Sequence, residues 1–173
     1  MREILFSETQ RFKQWWIYMI CIIIDVIFIF GFIWQVILGH QFGNNPAPNY
    51  VDTIVMIAML IITSSIFFGN LKTVIKKDGI YYRFFPLNLR IKKLSLGDIS
   101  EAYIREYDAM GEYLGWGIRY GDSMKDKAII LGGDKGIQIV FKNNKKLLLG
   151  TLKPFEARKA LEEIGFKISD ENS

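Results

Sequence analysis

Two long apolar runs interrupt an otherwise mixed pattern of polar and apolar positions. The first covers residues 15–38 and the second covers residues 51–69. About 20 residues of helix cross the hydrocarbon core of a bilayer, so each run is long enough to span. The connection at 39–50 contains Pro46 and Pro48, which break a helix. The pattern therefore predicts a hairpin of two transmembrane helices.

Beyond the second run the period changes, because short apolar stretches now alternate with polar residues as in β-strands. Turn signals separate these stretches at intervals of about 8 to 12 residues, which is typical of a small all-β barrel or sandwich. Asp78-Gly79 and Asn143-Asn144 are such signals, since they tolerate the backbone angles of tight hairpins. Strands are predicted in LKTVIKK, IYYRFF, RIKKLS, ISEAYIREY, LGWGIRY, KAIILGG, GIQIVFK and KKLLLGT.

A helix is predicted after the last strand, where Pro154 suits the first helical turn and Gly165 ends the helix. Phe155, Leu161 and Ile164 are expected near one face. The predicted fold is a membrane α-helical hairpin followed by an all-β barrel of about seven antiparallel strands with one C-terminal α-helix. The predicted parts are an N-terminal segment (1–14), a first transmembrane helix (15–38), a loop (39–50), a second transmembrane helix (51–69) and a soluble domain (70–173).

Positive charges flank the apolar runs on one side only. Lys and Arg accumulate on the cytoplasmic side of short membrane loops, and the loop at 39–50 contains neither. The flanking cations are Arg2, Arg11 and Lys13 before the first run, and Lys72, Lys76, Lys77, Arg83, Arg90, Lys92 and Lys93 after the second. Both termini are therefore predicted to be cytoplasmic. The single cysteine, Cys21, lies inside the first helix, so no disulfide framework is expected.

Two stretches of the soluble part, EYLGWGIRY at 112–120 and GGDKGIQIVFKNNKKLLLGT at 132–151, follow the hairpin in chain order. In this combination the sequence resembles small bacterial two-helix membrane proteins that carry a C-terminal bacterial pleckstrin-homology-like (PH-like) domain. The resemblance covers most of the chain. It implies a PH-like barrel on a multi-pass protein of the bacterial inner membrane. The family has no assigned function, so the resemblance brings no catalytic or ligand-binding residues with it.

A carboxylic acid lies near the middle of the first predicted membrane helix. A charged side chain at this depth costs about 2.5 to 3.5 kcal/mol on insertion scales, so Asp25 needs a partner or a proton. Counted from the loop, Asp25 has the same depth as Ser64 on the antiparallel second helix. We expect an intramembrane polar lock between Asp25 and Thr63, Ser64 or Ser65. Proton or ion transport would require oligomerisation, since two helices form no pathway.

The segment directly after the second helix is strongly basic, and between residues 70 and 93 its one acid is Asp78. Each cation near a bilayer gains about 1 kcal/mol from anionic lipid. Two interpretations stay open, because these residues either contact head groups of the inner leaflet or only set the topology. The candidate lipid-contact residues are Lys72, Lys76, Lys77, Lys92 and Lys93.

The stretch GEYLGWGIRY, at 111–120, contains three glycines whose order is not that of a nucleotide-binding loop. The glycines are expected to form a turn and a bulge. Trp116 is expected to pack toward the core or the C-terminal helix, and Arg119 to pair with Glu101 or Glu106. If Trp116 and Arg119 are instead exposed side by side, they form a possible binding edge.

The sequence contains no pattern of catalytic or metal-binding residues. A zinc site needs about three or four Cys, His or carboxylate ligands, and the one histidine, His40, lies in the loop between the helices. The cytoplasmic part has no Ser-His-Asp set and no cysteine beside a base. After residue 93, acids and bases are nearly equal in number, which is atypical of nucleic-acid-binding domains. We expect no enzymatic activity, no cofactor, no metal and no nucleic-acid partner.

Two functions stay open. The first is a membrane-anchored PH-like binding or assembly module that contacts the lipid bilayer, with anionic lipid head groups, an unknown protein partner or a second copy as its ligand. The alternative is an accessory or oligomeric component of a membrane transport or stress-response system, with Asp25 functional in the membrane. A stable ring or hetero-complex in mild detergent would favour the alternative.

Overall fold

A computed structural model describes residues 3–41 and 46–166. The chain divides into two compact units, one formed by Gln14–Phe68 and the other by Met1–Lys13 together with Gly69–Ser173. The second unit is discontinuous in sequence, because the first unit is inserted after its opening residues.

The inserted unit consists of two antiparallel helices. Helix α1 covers Trp15–Phe32 and continues as a π-helical segment, Ile33–Ile37, while α2 covers Asn49–Phe67. Pro48 directly precedes α2, a position where proline is tolerated because the first N–H groups of a helix have no intrahelical partner. Trp15–Ile37 and Asn49–Phe67 are each long and apolar enough to cross a membrane. Most of their large apolar side chains are exposed, which suits contact with lipid.

The described part of the second unit contains nine strands, one α-helix and a short 3₁₀-helix, Leu96–Asp98. The strands are β1 Ile4–Arg11, β2 Asn70–Lys76, β3 Gly79–Phe85, β4 Lys92–Ser95, β5 Ile99–Glu106, β6 Gly117–Tyr120, β7 Asp126–Ile130, β8 Lys135–Phe141 and β9 Lys146–Gly150, and the helix is α3, Pro154–Glu163. One sheet has the order β1-β2-β3-β4, and the other has the order β5-β8-β9-β7-β6. Neighbouring strands are antiparallel except for β7 and β9, which are parallel.

The sheets differ from the predicted barrel in three respects. The described residues form nine strands instead of about seven, one strand pair is parallel, and the two sheets are not closed. The prediction is wrong in these details, whereas two long apolar helices, a β-rich part and a C-terminal helix are confirmed. The parallel pair arises because β8 and β9 form a hairpin, and β7 then joins the free edge of β9.

Strand β1 is the largest departure from the predicted organisation. It lies within residues 1–14, where the sequence predicts only an N-terminal segment, and it pairs antiparallel with β2 along its length. Alternate side chains on β1 are buried, namely Phe6, Glu8 and Gln10. The helical unit is therefore inserted into the first β-hairpin of the domain, between two strands that are neighbours in one sheet.

The inward-facing polar residues of β1 contact the end of β9. The carboxylate of Glu8 accepts hydrogen bonds from Thr151 Oγ1 at 2.7 Å and from the Leu152 N–H at 2.9 Å. Gln10 Nε2 donates to the carbonyl of Gly150. A buried polar group is costly unless it is hydrogen-bonded. These contacts therefore offset the burial of Glu8 and connect the N-terminal strand to the second sheet.

The main hydrophobic core includes residues of both sheets and of α3. On α3 the buried side chains are Ala157, Ala160 and Leu161, and Ile164 packs partly against the same core. Phe155, predicted on this face, is instead 78% exposed, because it lies two residues before Ala157 and thus points roughly 200° away at 3.6 residues per turn. The predicted face is correct for Leu161 and Ile164 and wrong for Phe155.

A second apolar cluster forms where the segment between β5 and β6 packs against residues of β7 and β9. Tyr107, Tyr113 and the half-buried Trp116 come from this segment. The strands contribute Ala128 and Ile130 from β7 together with Leu148 from β9.

Candidate functional site

The inserted helices contain a polar contact at the predicted place. Thr63 Oγ1 lies 3.0 Å from Asp25 Oδ1, and the Thr63 side chain is buried. Ser64 is exposed, and Ser65 donates to the carbonyl of Ile61 at 2.7 Å on its own helix. Of the candidate residues for the polar lock, the structure brings Asp25 and Thr63 together.

Three acceptor oxygens lie within hydrogen-bond distance of the Thr63 hydroxyl, which can donate only one hydrogen. Its oxygen also lies 3.0 Å from the carbonyl oxygen of Met59 and 3.2 Å from that of Leu60. A hydroxyl has one hydrogen to donate but accepts two hydrogen bonds. The carbonyls of Met59 and Leu60 lie within α2, where backbone N–H groups are their donors, so the Thr63 hydrogen is available to Asp25.

A second polar contact, between the end of the first helix and the connection, was not predicted. Gln35, in the π-helical segment, is buried, and its Nε2 donates to the carbonyl of Ala47 at 2.6 Å. Ala47 lies between two prolines, which cannot continue a helix and so leave its carbonyl without an intrahelical donor. A glutamine at the end of an apolar helix, opposite a proline-rich turn, is the sequence signal that indicates this contact.

We expect Asp25 and Thr63 to be energetically coupled in the full-length protein. A double-mutant cycle with Asp25→Leu and Thr63→Val should give a coupling energy of about 0.6 to 2 kcal/mol, because hydrogen bonds between membrane helices have this size. Denaturing-detergent titration of the protein in mild detergent measures it. The matched control is Ser64→Ala in the same cycle, which should show no coupling. Equal coupling for Thr63 and Ser64 would contradict a specific polar lock.

The five candidate lysines all lie in the first sheet or its turns, but they do not share one face. Lys72 and Lys76 are on β2 and point away from the core, as does Lys93 on β4, which lies opposite Tyr81. Lys92 is opposite the buried Tyr82, so it points to the other face at the exposed edge. The sequence pattern alone does not separate these two sets. We name the outward-facing cations Arg11, Lys72, Lys76, Arg83 and Lys93 the outer basic face.

Two of the candidate lysines form ion pairs. Lys77 pairs with Glu3, which lowers the pKa of that carboxyl group. Lys93 Nζ lies 2.7 Å from the carboxylate of Asp78, and this hydrogen bond raises the pKa of Lys93. Both pairs are at least partly exposed, where an ion pair contributes little to stability.

Tyr81 is at the centre of the contacts on the outer basic face. Its hydroxyl donates to Asp78 at 2.7 Å, and the ammonium groups of Lys76 and Lys93 lie 5.2 and 5.6 Å from the ring centroid. An aromatic ring attracts cations through its negative face. The tyrosine therefore holds two cations close together on the outside of the sheet.

The stretch 111–120 forms a turn region followed by β6. The two candidate binding-edge residues in it, Trp116 and Arg119, have different environments. Trp116 is half-buried and packs against the second apolar cluster. Arg119 is exposed, and its guanidinium lies over Gly115, whose φ of +127° suits glycine. Glu106, one expected partner of Arg119, instead pairs with Lys135 at 3.1 Å.

A different arginine, which sequence reasoning missed, organises this region. Arg105 donates from Nε to Gln138 Oε1 at 2.8 Å and from Nη2 to the Tyr113 hydroxyl at 2.8 Å. Its Nη1 lies 2.8 Å from the carboxylate of Glu112. Arg105 and Gln138 come from β5 and β8, which are adjacent in the sheet although distant in sequence. The network fixes the turn region against the second sheet.

We expect the domain to lose stability in alkali because of Tyr113. Burial raises the pKa of Tyr113 to about 12, although the positive charge of Arg105 opposes the shift. An unfolded chain releases a tyrosine proton near a pKa of about 10. Between these pH values the folded state binds more protons, so stability falls as the pH rises through this range and is unaffected by this group below it.

Thermal unfolding of the full-length protein in mild detergent, repeated between neutral pH and pH 12, tests this expectation. Tyr113→Phe should reduce the alkaline loss, and part of it should persist because burial also raises the pKa of Tyr107. Tyr120→Phe, at an exposed tyrosine, is the matched control. The same alkaline loss in Tyr113→Phe and wild type would contradict the assignment.

The described residues, 3–41 and 46–166, contain no group of three or more His, Cys, Asp or Glu side chains that could hold a metal ion. Their polar clusters are instead the hydrogen-bonded sets around Asp25, Glu8, Tyr81 and Arg105. When compared with protein-family models, curated proteins and solved structures, the chain matches none of them.

Proposed function

We propose that the protein is a membrane-anchored binding or assembly module without catalytic activity. The helical hairpin is its anchor, and the domain of strands and α3 is a PH-like module at the cytoplasmic face of a bacterial inner membrane. The observation that carries the proposal is the pairing of β1 with β2, because these strands lie on either side of the hairpin in sequence.

The pairing supports a hairpin that crosses the bilayer twice. Two strands of one sheet must be on the same side of a membrane, so the chain leaves and returns on that side. Two spanning helices satisfy this condition, and one spanning helix does not. The cations before α1 and after α2, with none in the connection, favour the cytoplasm as that side.

The PH-like assignment rests on the resemblance together with two features of the domain. A four-stranded antiparallel sheet and a second sheet enclose one core, and a single C-terminal helix packs against that core. Strand β6 and the parallel β7–β9 pair are additions to the seven antiparallel strands and C-terminal helix of a PH-like domain. A PH-like domain offers its surface for binding, and here the outer basic face suits anionic lipid head groups, while exposed strand edges suit a protein partner or a second copy.

The alternative function makes Asp25 part of an oligomeric or accessory component of a membrane transport or stress-response system. It is favoured by the position of Asp25, whose side chain is only partly buried between α1 and α2. A carboxyl group in a membrane helix that keeps an exposed side is available to a neighbouring helix. Affinity purification from its own membrane in mild detergent distinguishes the two, since a complex that Asp25→Asn abolishes supports the alternative.

Cysteine accessibility tests the proposed topology. In a Cys21→Ser background, a membrane-impermeant maleimide should label His40→Cys in intact cells or spheroplasts, since His40 lies in the connection. The control Met124→Cys is in an exposed turn of the domain and should be labelled only after permeabilisation. Labelling of Met124→Cys in intact cells would overturn the cytoplasmic placement, and extraction of the protein by alkaline carbonate would overturn the anchor.

A further inference from the structure

The connection between β3 and β4 exposes large apolar side chains. Leu87, Leu89 and Ile91 are 69, 70 and 54% exposed. The N–H of Asn88 donates to the carbonyl of Phe84 at 2.7 Å, so the connection begins as a tight turn. Adjacent exposed apolar residues of this size mark an interaction site more often than an ordinary surface. We name residues 86–91 the apolar loop.

The register of the first sheet locates the apolar loop. Arg11 at the end of β1 is opposite Asn70 at the start of β2, which in turn is opposite Phe85 at the end of β3. These three residues form one row at one end of the sheet. The connection to α1, the connection from α2 and the apolar loop therefore all begin or end at this end of the first sheet.

The length of the chain limits how far this end can be from the bilayer. Residues 12–14 connect Arg11 to Trp15, and residues 68–69 connect Phe67 to Asn70. At 3.3 to 3.6 Å per extended residue, these connections reach at most about 14 and 11 Å. The limit comes from covalent geometry and holds for every orientation of the domain.

The charge of the apolar loop and of the residues that follow fits a lipid surface. Arg90 alternates with the apolar side chains and Lys92 follows them, and residues 86–92 contain no acid. Segments with apolar side chains and adjacent cations lie in the membrane interface, with the apolar groups at the acyl boundary and the cations near the phosphates.

We propose that the apolar loop inserts its leucine and isoleucine side chains into the interfacial layer of the anionic bilayer that the hairpin crosses. The contact rests on the proposed function, since it requires the hairpin to span. It gives the domain a third attachment to the membrane besides its two chain connections. The lysines of the outer basic face are separate from this contact.

Site-specific fluorescence of the full-length protein tests the proposal. Leu89→Cys in a Cys21→Ser background is labelled with an environment-sensitive dye and reconstituted into nanodiscs of phosphatidylethanolamine and phosphatidylglycerol. The dye should emit at shorter wavelength than in detergent-free water, and acyl-brominated lipids should quench it. The matched control is Ile4→Cys, 57% exposed at the opposite end of the same sheet. Quenching at Leu89 should be several-fold stronger than at Ile4.

The outcomes separate this inference from the proposed function. Quenching of the native fluorescence by brominated lipid, dominated by Trp15, Trp16 and Trp34, reports whether the hairpin is inserted. If the hairpin is inserted and the dye at Leu89 reports water, the loop contact is overturned and the anchor stands. If the dye at Leu89 emits at shorter wavelength but brominated lipid does not quench it, a protein surface covers the loop. If quenching at Leu89 and Ile4 is equal, the whole sheet lies against the bilayer. Either result overturns the proposal.

Discussion

A chain in which Asn-Gly replaces residues 13–68 is expected to fold as a soluble domain. The replacement leaves a four-residue connection, Phe12-Asn-Gly-Gly69, between the paired residues Arg11 and Asn70. Connections of four residues are common in β-hairpins, and Asn-Gly suits the turn. Because β1 keeps its register with β2, the pairing of these strands and the contacts of Glu8 and Gln10 with the end of β9 are retained. Circular dichroism and size-exclusion chromatography should show a folded monomer.

The fragment 69–173 is expected not to fold by itself, although it contains the whole predicted domain. Without β1, the core loses Phe6 and an edge of β2 becomes exposed. The N–H of Leu152 and the hydroxyl of Thr151 also lose Glu8 as their acceptor, and a hydrogen bond to a charged group contributes about 1.5 to 3 kcal/mol. Such losses are a large part of the stability of a small domain.

The two chains form a matched pair, since they share residues 69–173 and differ by the N-terminal strand and its turn. A folded fragment with the same melting temperature as the joined chain would show that β1 is dispensable. Adding a synthetic peptide of residues 1–12 to the fragment should restore folding, because the peptide can occupy the vacant edge of β2.

Leu161→Ala is expected to destabilise the full-length protein by about 2 to 5 kcal/mol. Leu161 is fully buried on α3 and contributes to the core shared by both sheets. Its truncation leaves a cavity that the surrounding strands fill only in part. Pulse proteolysis in mild detergent measures the change in the free energy of unfolding.

Phe155→Ala is the matched control on the same helix. Phenylalanine is larger than leucine, yet Phe155 is exposed, so its truncation should change the free energy of unfolding by less than about 0.5 kcal/mol. A loss at Phe155 as large as that at Leu161 would mean that a surface covers Phe155 in the native protein. The comparison therefore also tests the corrected face of α3.

The hydrophobic pattern predicts the helices and most strands because each depends on residues that are close in sequence. The apolar runs at 15–38 and 51–69 correspond to the two helices within a few residues. The eight predicted strand segments correspond to β2 through β9, since alternation and turn residues are local signals. The order of the strands within each sheet is set by contacts between distant residues, so the pattern does not give it.

The pattern does not predict β1, and the reason is chemical. Two of its inward-facing residues, Glu8 and Gln10, are polar. The hydrophobic pattern at β1 is therefore that of a solvent-exposed segment. Their partners lie at Gly150 and Thr151, at the other end of the chain. Hydrogen bonds to these distant residues offset the burial of the Glu8 carboxylate and of the Gln10 amide nitrogen, and no feature near β1 in the sequence reveals them.

The candidate sites were predictable to different extents. Counting depth along two antiparallel helices is enough to bring Asp25 near Thr63, because helix geometry is regular. The partners of the arginines were not predictable, because Arg105 and Gln138 meet only through the pairing of β5 with β8. The aliphatic residues of the apolar loop become informative only once the sheet register shows which end of the domain they occupy.

The insertion of the hairpin between β1 and β2 also dictates an order of events during synthesis. The ribosome produces β1 first, but its partner strand emerges only after both membrane helices. The N-terminal strand therefore lacks its partner strand until both helices have been synthesised. If the helices span as proposed, a chain that inserts only one of them leaves β1 and β2 on opposite sides of the bilayer, where they cannot pair. Under the proposed topology, the first sheet is therefore completed only when both helices have crossed the bilayer.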